Sequence, residues 1–195
     1  MSEAGGTPRE RMVVSAAQLI RRHGVTATGL RDVVAHARAP RGSLQHYFPG
    51  GKQQLTDEAV DWAGRYASGR VGRFMAAMTQ PAPSALFAAM VAQWTDEFLA
   101  QGFSAGCPVA AAIVDCAQSA DSTRAAAAAA LVGWRRSVAQ ALTELGVPAD
   151  KAAPLATVMV SALEGAILIA RSEQDVAALQ TVAEELGPLL DSYAA

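Results

Sequence analysis

Four polar side chains that can read DNA bases fall within six residues of this 195-residue chain: Arg41, Ser43, Gln45 and His46. Arginine is the usual reader of guanine and glutamine the usual reader of adenine, and each such pair is worth about 1–3 kcal/mol of discrimination. Gly42 lies among them and lets the backbone approach a groove closely. These residue types predict that one short segment reads bases in double-stranded DNA.

Groups that suit phosphate contacts flank the same segment. Phosphate contacts fix the position of a protein on the duplex without reading its sequence. Helices that begin near Thr28 and Lys52 would add their N-terminal backbone N–H groups to such contacts. We expect the phosphate-binding side chains to be Thr28, Arg31, Tyr47 and Lys52. Tyr47 has an alternative role, which is partial packing against the first helix.

The elements that must position these side chains are two short helices. The first is predicted by an apolar stripe at three- and four-residue spacing, formed by Leu30, Val33, Val34 and Ala37. Thr28 stands where an N-cap would, and Pro40 suits the first turn of the next helix. Leu44 and Phe48, four residues apart, point inward together. Two short helices with a tight turn, the second carrying the polar side chains, predict a helix-turn-helix DNA reader.

Charge is distributed unevenly along the chain. Residues 1–52 hold eight Arg and Lys against three Asp and Glu, a balance of +5, whereas residues 53–195 hold eight basic and fifteen acidic residues, a balance of −7. A basic block at one end of an acidic chain favours a partner that offers phosphates at that end alone. The alternative is an ordinary solvated surface of mixed charge.

The rest of the chain predicts further helices, with no strand pattern and no repeat. We expect an all-α protein of about nine helices, with residues 1–7 disordered, a helix-turn-helix DNA-binding domain at 8–51 and a second helical domain at 52–195. The predicted helices are Pro8–His23, Thr28–Ala37, Pro40–Phe48, Lys52–Met78, Ser84–Gln101, Pro108–Ala117, Asp121–Leu145, Ala149–Arg171 and Asp175–Ala194.

The motifs of the first third resemble the DNA-binding domain of TetR-type transcriptional regulators. The resemblance rests on Val33-Val34, Ala37, Gly42-Ser43-Leu44, His46-Tyr47-Phe48 and Lys52. The runs FPGGK, GCPVAA and LEGAILIARS are similar to the LmrA/YxaF-type branch. Arg38 departs from the family, which usually has glycine there, so it predicts either a non-glycine residue at positive φ or another turn geometry. Gln45 stands where the family usually has tyrosine.

The resemblance implies a ligand pocket in the second domain. Aromatic-rich cavities with few polar groups suit flat hydrophobic ligands, although aromatic residues at helical spacing also form ordinary cores. Asp115 and Glu164 lie in apolar helical sequence and are candidate polar contacts. The expected lining residues are Trp62, Tyr66, Phe87, Trp94, Phe98, Phe103, Asp115, Trp134, Met159 and Glu164.

The last two predicted helices carry apolar stripes that are wide for packing within one chain. Four such helices from two chains form a bundle, and the resemblance implies a homodimer that reads two half-sites of a palindrome. The alternative is that both helices close the core of a monomer. The expected interface residues are Leu155, Val158, Ala162, Ile169, Val176, Leu179, Val182, Leu186, Leu189 and Tyr193.

These features predict a cytoplasmic DNA-binding repressor that a small hydrophobic effector releases from its operator. Catalytic motifs and metal-ligand spacings are missing, so we expect no enzyme activity, no cofactor and no metal. Cys107 and Cys116 would fall on opposite faces of a helix and cannot share a metal. We also expect no signal peptide and no membrane span. The alternatives are a ligand-independent repressor and a non-specific DNA-binding helical protein.

Overall fold

The computed structural model describes residues 6–40, 42–116 and 121–194, and over these ranges it contains nine α-helices and no strand. The predicted all-α class is confirmed, and most predicted helix ends are correct to within two residues. Of the predicted disordered segment 1–7, residues 1–5 lie outside the described residues. The helices are α1 (Pro8–Ala27), α2 (Leu30–His36), α3 (Ser43–Tyr47), α4 (Gly51–Ala77), α5 (Pro83–Gln101), α6 (Pro108–Cys116), α7 (Asp121–Glu144), α8 (Ala149–Glu173) and α9 (Ala177–Asp191).

Helix α1 begins with a capping box and bends before it ends. The Thr7 hydroxyl accepts a hydrogen bond from Glu10 N at 3.3 Å, and the Glu10 carboxylate accepts one from Thr7 N at 2.8 Å. This reciprocal pair satisfies two N–H groups at the helix start. Gly24 ends the regular part of the helix, as predicted, because at φ 79° and ψ 171° it is non-helical and forms a bend. A short second helical segment follows the bend and runs to Ala27.

The prediction that Thr28 is the N-cap of α2 is wrong. Gly29 occupies that position and offers no side-chain cap. Thr28 is instead the C-cap of α1, where it is buried and its hydroxyl donates to the Gly24 carbonyl at 2.6 Å. The bend at Gly24 brings this carbonyl within reach of the hydroxyl, which therefore closes the bend.

Helices α8 and α9 meet at a turn that displaces both predicted ends. Gln174 lies in the left-handed region at φ 58° and ends α8 two residues beyond Arg171. Asp175 then accepts a hydrogen bond from Ala177 N at 2.9 Å. Because its side chain serves this turn, α9 starts at Ala177, two residues later than predicted. It also ends earlier, at Asp191 rather than at Ala194.

The described residues divide into two compact units, each built from two separate stretches of the chain. Unit 1 comprises Met1–Arg65 and Cys107–Leu131, and unit 2 comprises Tyr66–Gly106 and Val132–Ala195. Helix α6 thus belongs to the unit that contains the helix-turn-helix, and α4 and α7 each contribute to both units.

Unit 1 is built around α1. Helix α1 packs against α2 and against α6, and Met12 and Ile20 on α1 are fully buried. Where α4 approaches α7, a Cβ on Gly64 would lie 2.8 Å from the Ala130 Cα. Such a close approach of two helices requires glycine at this position.

Unit 2 is organised by α5, α8 and α9. Helix α9 packs against both α5 and α8, and the Asp191 carboxylate accepts a hydrogen bond from Ser84 N at 2.9 Å. Arg171 of α8 donates from Nε to the Phe103 carbonyl and from an Nη to the Ser104 carbonyl, both at 3.3 Å. These bonds secure the connection that follows α5. The largest fully buried side chains of unit 2 are Leu86, Phe87, Phe98, Leu142, Met159, Leu163, Ile167 and Leu179.

Helix α8 has the length and composition of a membrane-spanning helix. Its 25 residues include a window with a mean hydropathy of 1.8, and 44% of that window is buried inside the chain. One helix of this kind is weak support for a membrane span, because core helices of water-soluble proteins have the same features. Packing within unit 2 accounts for its buried side.

Candidate nucleic-acid interface

The turn between α2 and α3 is a Schellman motif with arginine at its left-handed position. Arg38 has φ 48°, Arg38 N donates to the Ala35 carbonyl at 3.1 Å, and Ala39 N donates to the Val34 carbonyl at 3.0 Å. Glycine is usual at this position because it has no Cβ. The first of the two geometries predicted at Arg38, a non-glycine residue at positive φ, is therefore confirmed.

Helix α3 presents a polar face outward. Gly42, Gln45 and His46 are exposed, and Ser43 is half-buried, with its hydroxyl donating to the Pro40 carbonyl at 2.7 Å. The ring centroids of His46 and Tyr47 lie 5.0 Å apart in an edge-on arrangement. Arg41, predicted to read guanine, lies outside the described residues.

The inner side of α3 is fixed by Phe48. This side chain is fully buried, and the Arg9 guanidinium lies 5.2 Å from its ring centroid. Arg9 also forms an ion pair with Glu58 at 2.7 Å, and Glu58 accepts a hydrogen bond from Gln54 at 3.0 Å. Gln54 in turn accepts a hydrogen bond from Gly50 N at 2.9 Å. Helices α1 and α4 thus secure the end of α3 through both packing and polar contacts.

Two of the predicted phosphate contacts have partners within the protein. The Thr28 hydroxyl is engaged at Gly24, as described above, and the Lys52 ammonium donates to the Thr26 carbonyl at 3.0 Å. Arg31 is exposed, whereas Tyr47 is half-buried and packs against the unit 1 core, as its alternative role predicted. A phosphate contact by Lys52 would share the ammonium group with the Thr26 carbonyl.

Two arginines near the start of α1 also act within the protein. Arg9 is paired with Glu58, and Arg11 donates from Nε to the Ala37 carbonyl at 3.2 Å and from Nη1 to the Gly6 carbonyl at 2.8 Å. Ala37 is the C-cap of α2, so Arg11 satisfies a carbonyl that the helix leaves without an internal partner.

The structure distributes the ten predicted ligand-binding residues over both units. Trp62 and Asp115 belong to unit 1, where Asp115 accepts a hydrogen bond from Thr26 N at 3.1 Å. The other eight belong to unit 2. Tyr66, Phe103 and Glu164 are half-buried, and the buried ones are Phe87, Trp94, Phe98, Trp134 and Met159.

Three of these aromatic residues form a cluster of tilted rings in unit 2. The ring centroids of Trp94 and Phe98 lie 5.9 Å apart, and those of Phe98 and Phe103 lie 5.0 Å apart. Tyr66 has a different environment, because its hydroxyl accepts a hydrogen bond from Arg70 at 3.1 Å and its ring lies under the Arg70 and Arg73 guanidinium groups. Trp94, Phe98 and Phe103 therefore form an apolar cluster, whereas Tyr66 lies beside cationic side chains.

The predicted dimerisation surface separates into exposed and buried positions. Among its members, Val158 is 42% exposed, Ile169 48% and Leu189 45%, and the neighbouring Leu168 is 58% exposed. Leu155 and Leu179 are buried within unit 2 instead. The half-buried members are Ala162, Val176, Val182, Leu186 and Tyr193.

The two cysteines lie partly or fully inside the chain. Cys107 is half-buried and Cys116 is buried. Burial raises the pKa of the Cys116 thiol, and the carboxylates of Asp115 and Asp57 raise it further. A raised pKa keeps the thiol protonated and weakly nucleophilic. Within the described ranges, no group of three or more His, Cys, Asp and Glu side chains is placed to hold a metal ion.

A polar cluster joins α4 to α7 in unit 1. The Thr123 side chain is fully buried, and its hydroxyl donates to the Asp57 carboxylate at 2.5 Å. Gln53 donates to both Asp57 and Ser122 at 3.0 Å. Sequence reasoning missed this cluster and the Lys52 and Asp115 contacts with Thr26, because each joins residues far apart in the chain.

Comparisons with known proteins agree with this architecture. The family model for bacterial regulatory proteins of the tetR family matches residues 13–59, and the model for the C-terminal domain of LmrA/YxaF-like transcriptional regulators matches residues 83–185. An uncharacterized HTH-type transcriptional regulator of Mycobacterium tuberculosis is 44% identical over 188 residues, which is 94% of each chain. The HTH-type transcriptional regulator LmrA of Bacillus subtilis is 28% identical over 185 residues, covering 95% of this chain and 97% of LmrA.

A solved structure supports the fold. The crystal structure of the regulatory protein TetR from Rhodobacter sphaeroides superposes with a TM-score of 0.81 at 22% identity, covering 94% of this chain and 98% of that one. At this level of identity, the similarity establishes the fold and does not extend to ligands or target sequences.

Proposed function

Because this chain belongs to the TetR family of transcriptional regulators, in its LmrA/YxaF-like branch, we propose that it is a repressor that binds a palindromic operator as a homodimer. We further propose that a small hydrophobic effector releases it from that operator. Membership of this family makes the protein a DNA-binding regulator of transcription and not an enzyme. The family also favours a cytoplasmic location.

The polar outward face of α3 is the observation that supports sequence-specific recognition of DNA. Gln45 and His46 are exposed, while Phe48 on the opposite side is fully buried. A short helix that is fixed on one side and polar on the other can enter a major groove without rearranging. We assign base reading to Gln45 and His46, together with Arg41, Gly42 and Ser43. We assign phosphate contacts to Arg31, Tyr47 and Lys52, whereas the buried Thr28 hydroxyl is already engaged at the Gly24 carbonyl.

The apolar residues on the outer side of α8 and α9 support the homodimer. Val158, Leu168, Ile169 and Leu189 expose large aliphatic side chains. Burying exposed aliphatic side chains against a partner is favourable by about 25 cal/mol for each Å² of apolar surface removed from water. A second copy of the chain offers the same surface, and two copies form a four-helix interface.

The effector proposal rests on the aromatic groups of unit 2. Phe98 makes tilted ring contacts with Trp94 and with Phe103, and an aromatic-rich apolar region suits a flat hydrophobic molecule. Helix α4 is continuous from Gly51 to Ala77 and has residues in both units. An effector that changes the tilt of α4 would favour a form with lower operator affinity, and its effect is limited by its preference for that form.

A ligand-independent repressor is the second candidate. Its support is the complete burial of Phe87 and Met159, which are two of the predicted pocket residues. Side chains that fill their own core leave no volume for an effector. The two candidates differ in one measurement, which is operator affinity in the presence of hydrophobic small molecules. A shift with any of them excludes the second candidate.

The test of DNA recognition is selection of genomic DNA fragments by the purified protein, followed by footprinting of the most enriched fragment. We expect a short palindrome whose half-sites lie about one helical turn apart, or a multiple of it. Gel-shift competition with unrelated DNA of equal length gives the specificity. Equal affinity for all fragments would reject sequence-specific recognition and favour the non-specific DNA binder.

A further inference from the structure

Both backbone polar groups of Thr26, just beyond the bend in α1, form hydrogen bonds with side chains of other helices. Its N–H donates to the Asp115 carboxylate of α6 at 3.1 Å, and its carbonyl accepts from the Lys52 ammonium of α4 at 3.0 Å. The adjoining Gly24 carbonyl accepts from the Thr28 hydroxyl at 2.6 Å. Three polar contacts thus converge on the five residues that lead into α2.

The bend itself fits closely against Asp115. A Cβ on Gly24 would collide with Oδ2 of Asp115 and lie 3.2 Å from its Cγ. The φ of 79° and ψ of 171° at Gly24 also belong to a region that is essentially restricted to glycine. Helix α6 therefore packs directly against the bend, and its carboxylate occupies the space that a side chain at position 24 would need.

We propose that Asp115 is a positioning residue for operator recognition: it holds the Thr26 amide so that α2 and α3 present one fixed orientation to DNA. The proposal rests on the proposed function as a sequence-specific DNA binder. It differs from the sequence-based prediction that Asp115 contacts an effector, because the hydrogen bond lies within unit 1.

Asp115 should affect operator affinity through the fraction of molecules in which α2 and α3 are oriented to bind the operator. Without Asp115, the Thr26 N–H loses its acceptor, and the five-residue segment keeps the contacts made by Lys52 and Thr28. The segment then samples several orientations, and apparent operator affinity falls in proportion to the fraction that remains competent. Contacts with phosphates alone tolerate such variation, so affinity for non-specific DNA should change much less.

The experiment compares Asp115→Ala with Asp121→Ala. Both substitutions remove one carboxylate from unit 1, but the Asp121 side chain is 99% exposed and pairs with Arg124 on the surface. The probes are the palindromic fragment selected by the wild-type protein and an unrelated duplex of the same length. We expect Asp115→Ala to weaken binding to the palindrome by about threefold to tenfold, which is the range expected for loss of one ordinary, solvent-exposed hydrogen bond. We expect Asp121→Ala to bind both probes like the wild type.

The variant Asp115→Asn tests whether the hydrogen bond to Thr26 is what operator affinity requires, because it removes the charge and keeps an acceptor. Its amide oxygen can still accept the Thr26 N–H, so we expect recovery of most of the operator affinity. Amide exchange at Thr26 gives a readout that needs no DNA, with faster exchange in Asp115→Ala than in Asp121→Ala and the wild type. If Asp115→Ala fails to fold, the same exchange and affinity measurements on Asp115→Ser decide the question, because the shorter side chain keeps a polar group at this position but does not reach the Thr26 N–H.

Unchanged operator affinity and unchanged Thr26 exchange in Asp115→Ala would overturn the proposal. An equal loss of affinity for both DNA probes would overturn it as well, because a positioning role predicts a selective loss. If the wild-type protein itself selects no DNA, the proposed function fails. A wild type that binds its palindrome, with Asp115→Ala binding equally well, rejects the positioning role alone.

Discussion

The outward faces of α3 and α8 differ in the side chains that they expose and in the interactions that hold each helix in place. The face of α3 is polar and spans a helix of five residues, whereas α8 exposes Val158, Leu168 and Ile169 along 25 residues. Polar side chains remain hydrated until a partner binds, so a polar face suits a partner that associates and leaves. An aliphatic face is unfavourable in water whenever it is exposed, so it suits a partner that remains. The difference fits the proposed reversible contact of α3 with DNA and the proposed lasting contact of α8 with a second copy of the chain.

The two faces are also held in place by different forces. Helix α3 is too short to be stable alone, and it depends on buried Phe48 and on the Arg9–Glu58 ion pair. Helix α8 is supported by its own aliphatic inner side, where Leu163 and Ile167 are almost completely buried. Substitutions behind α3 should therefore disturb recognition, while substitutions on the outer side of α8 should disturb assembly.

The largest expected effect comes from a charge on the aliphatic face. In Ile169→Glu, a carboxylate would be buried between two copies of α8, and we expect sedimentation to show a monomer. A monomer reads one half-site, so operator affinity should fall by about 100-fold or more, because the second half-site no longer adds to binding.

Leu99→Glu is the matched control for Ile169→Glu. Leu99 is 69% exposed on α5 of the same unit and lies outside the predicted interface. This variant should remain a dimer and keep its operator affinity. If Ile169→Glu remains dimeric while its circular dichroism is native, the interface lies elsewhere on the chain.

A smaller effect is expected on the polar face. Gln45→Ala removes a side chain suited to adenine, and we expect discrimination between the operator and its variants to fall by about 1–3 kcal/mol at the base pair that it reads. Competition gel shifts with single-base-pair variants measure this loss. Gln140→Ala, a substitution at an exposed position of α7 in unit 2, is the control. An unchanged ranking of all operator variants would show that Gln45 reads no base.

The helix-turn-helix could be predicted from sequence because its determinants are local. The stripe from Leu30 to Ala37 and the inward pair Leu44 and Phe48 lie within 19 residues. Arg38 was also informative, since a residue that replaces a turn glycine restricts the possible geometries. The observed φ of 48° is one of the two alternatives that the sequence left open.

The contacts around Thr26 could not be predicted in this way. Asp115 is 89 residues away, and its role depends on the packing of α6 against α1. A carboxylate on an apolar helix suggests a functional contact without indicating which partner it meets. Thr28 shows the same ambiguity over a shorter distance, because a threonine between two helices can close the first or cap the second. Tertiary packing decided both cases.

The smallest expected effect compares the left-handed residues of the two units. Arg38 and Gln174 have φ values of 48° and 58°, and each follows a helix. A left-handed conformation is unfavourable for a residue with a Cβ, so glycine relieves this cost in the folded chain. Glycine also makes the unfolded chain more flexible, which offsets part of the gain. Arg38→Gly should therefore raise the free energy of unfolding by about 0.5–1 kcal/mol. Gln174→Gly should gain less, because the Gln174 amide donates to the Arg171 carbonyl at 2.7 Å and this bond would be lost. Urea denaturation at one fixed protein concentration measures both differences. A greater gain for Gln174→Gly than for Arg38→Gly would mean that the Arg38 side chain stabilises the turn before α3.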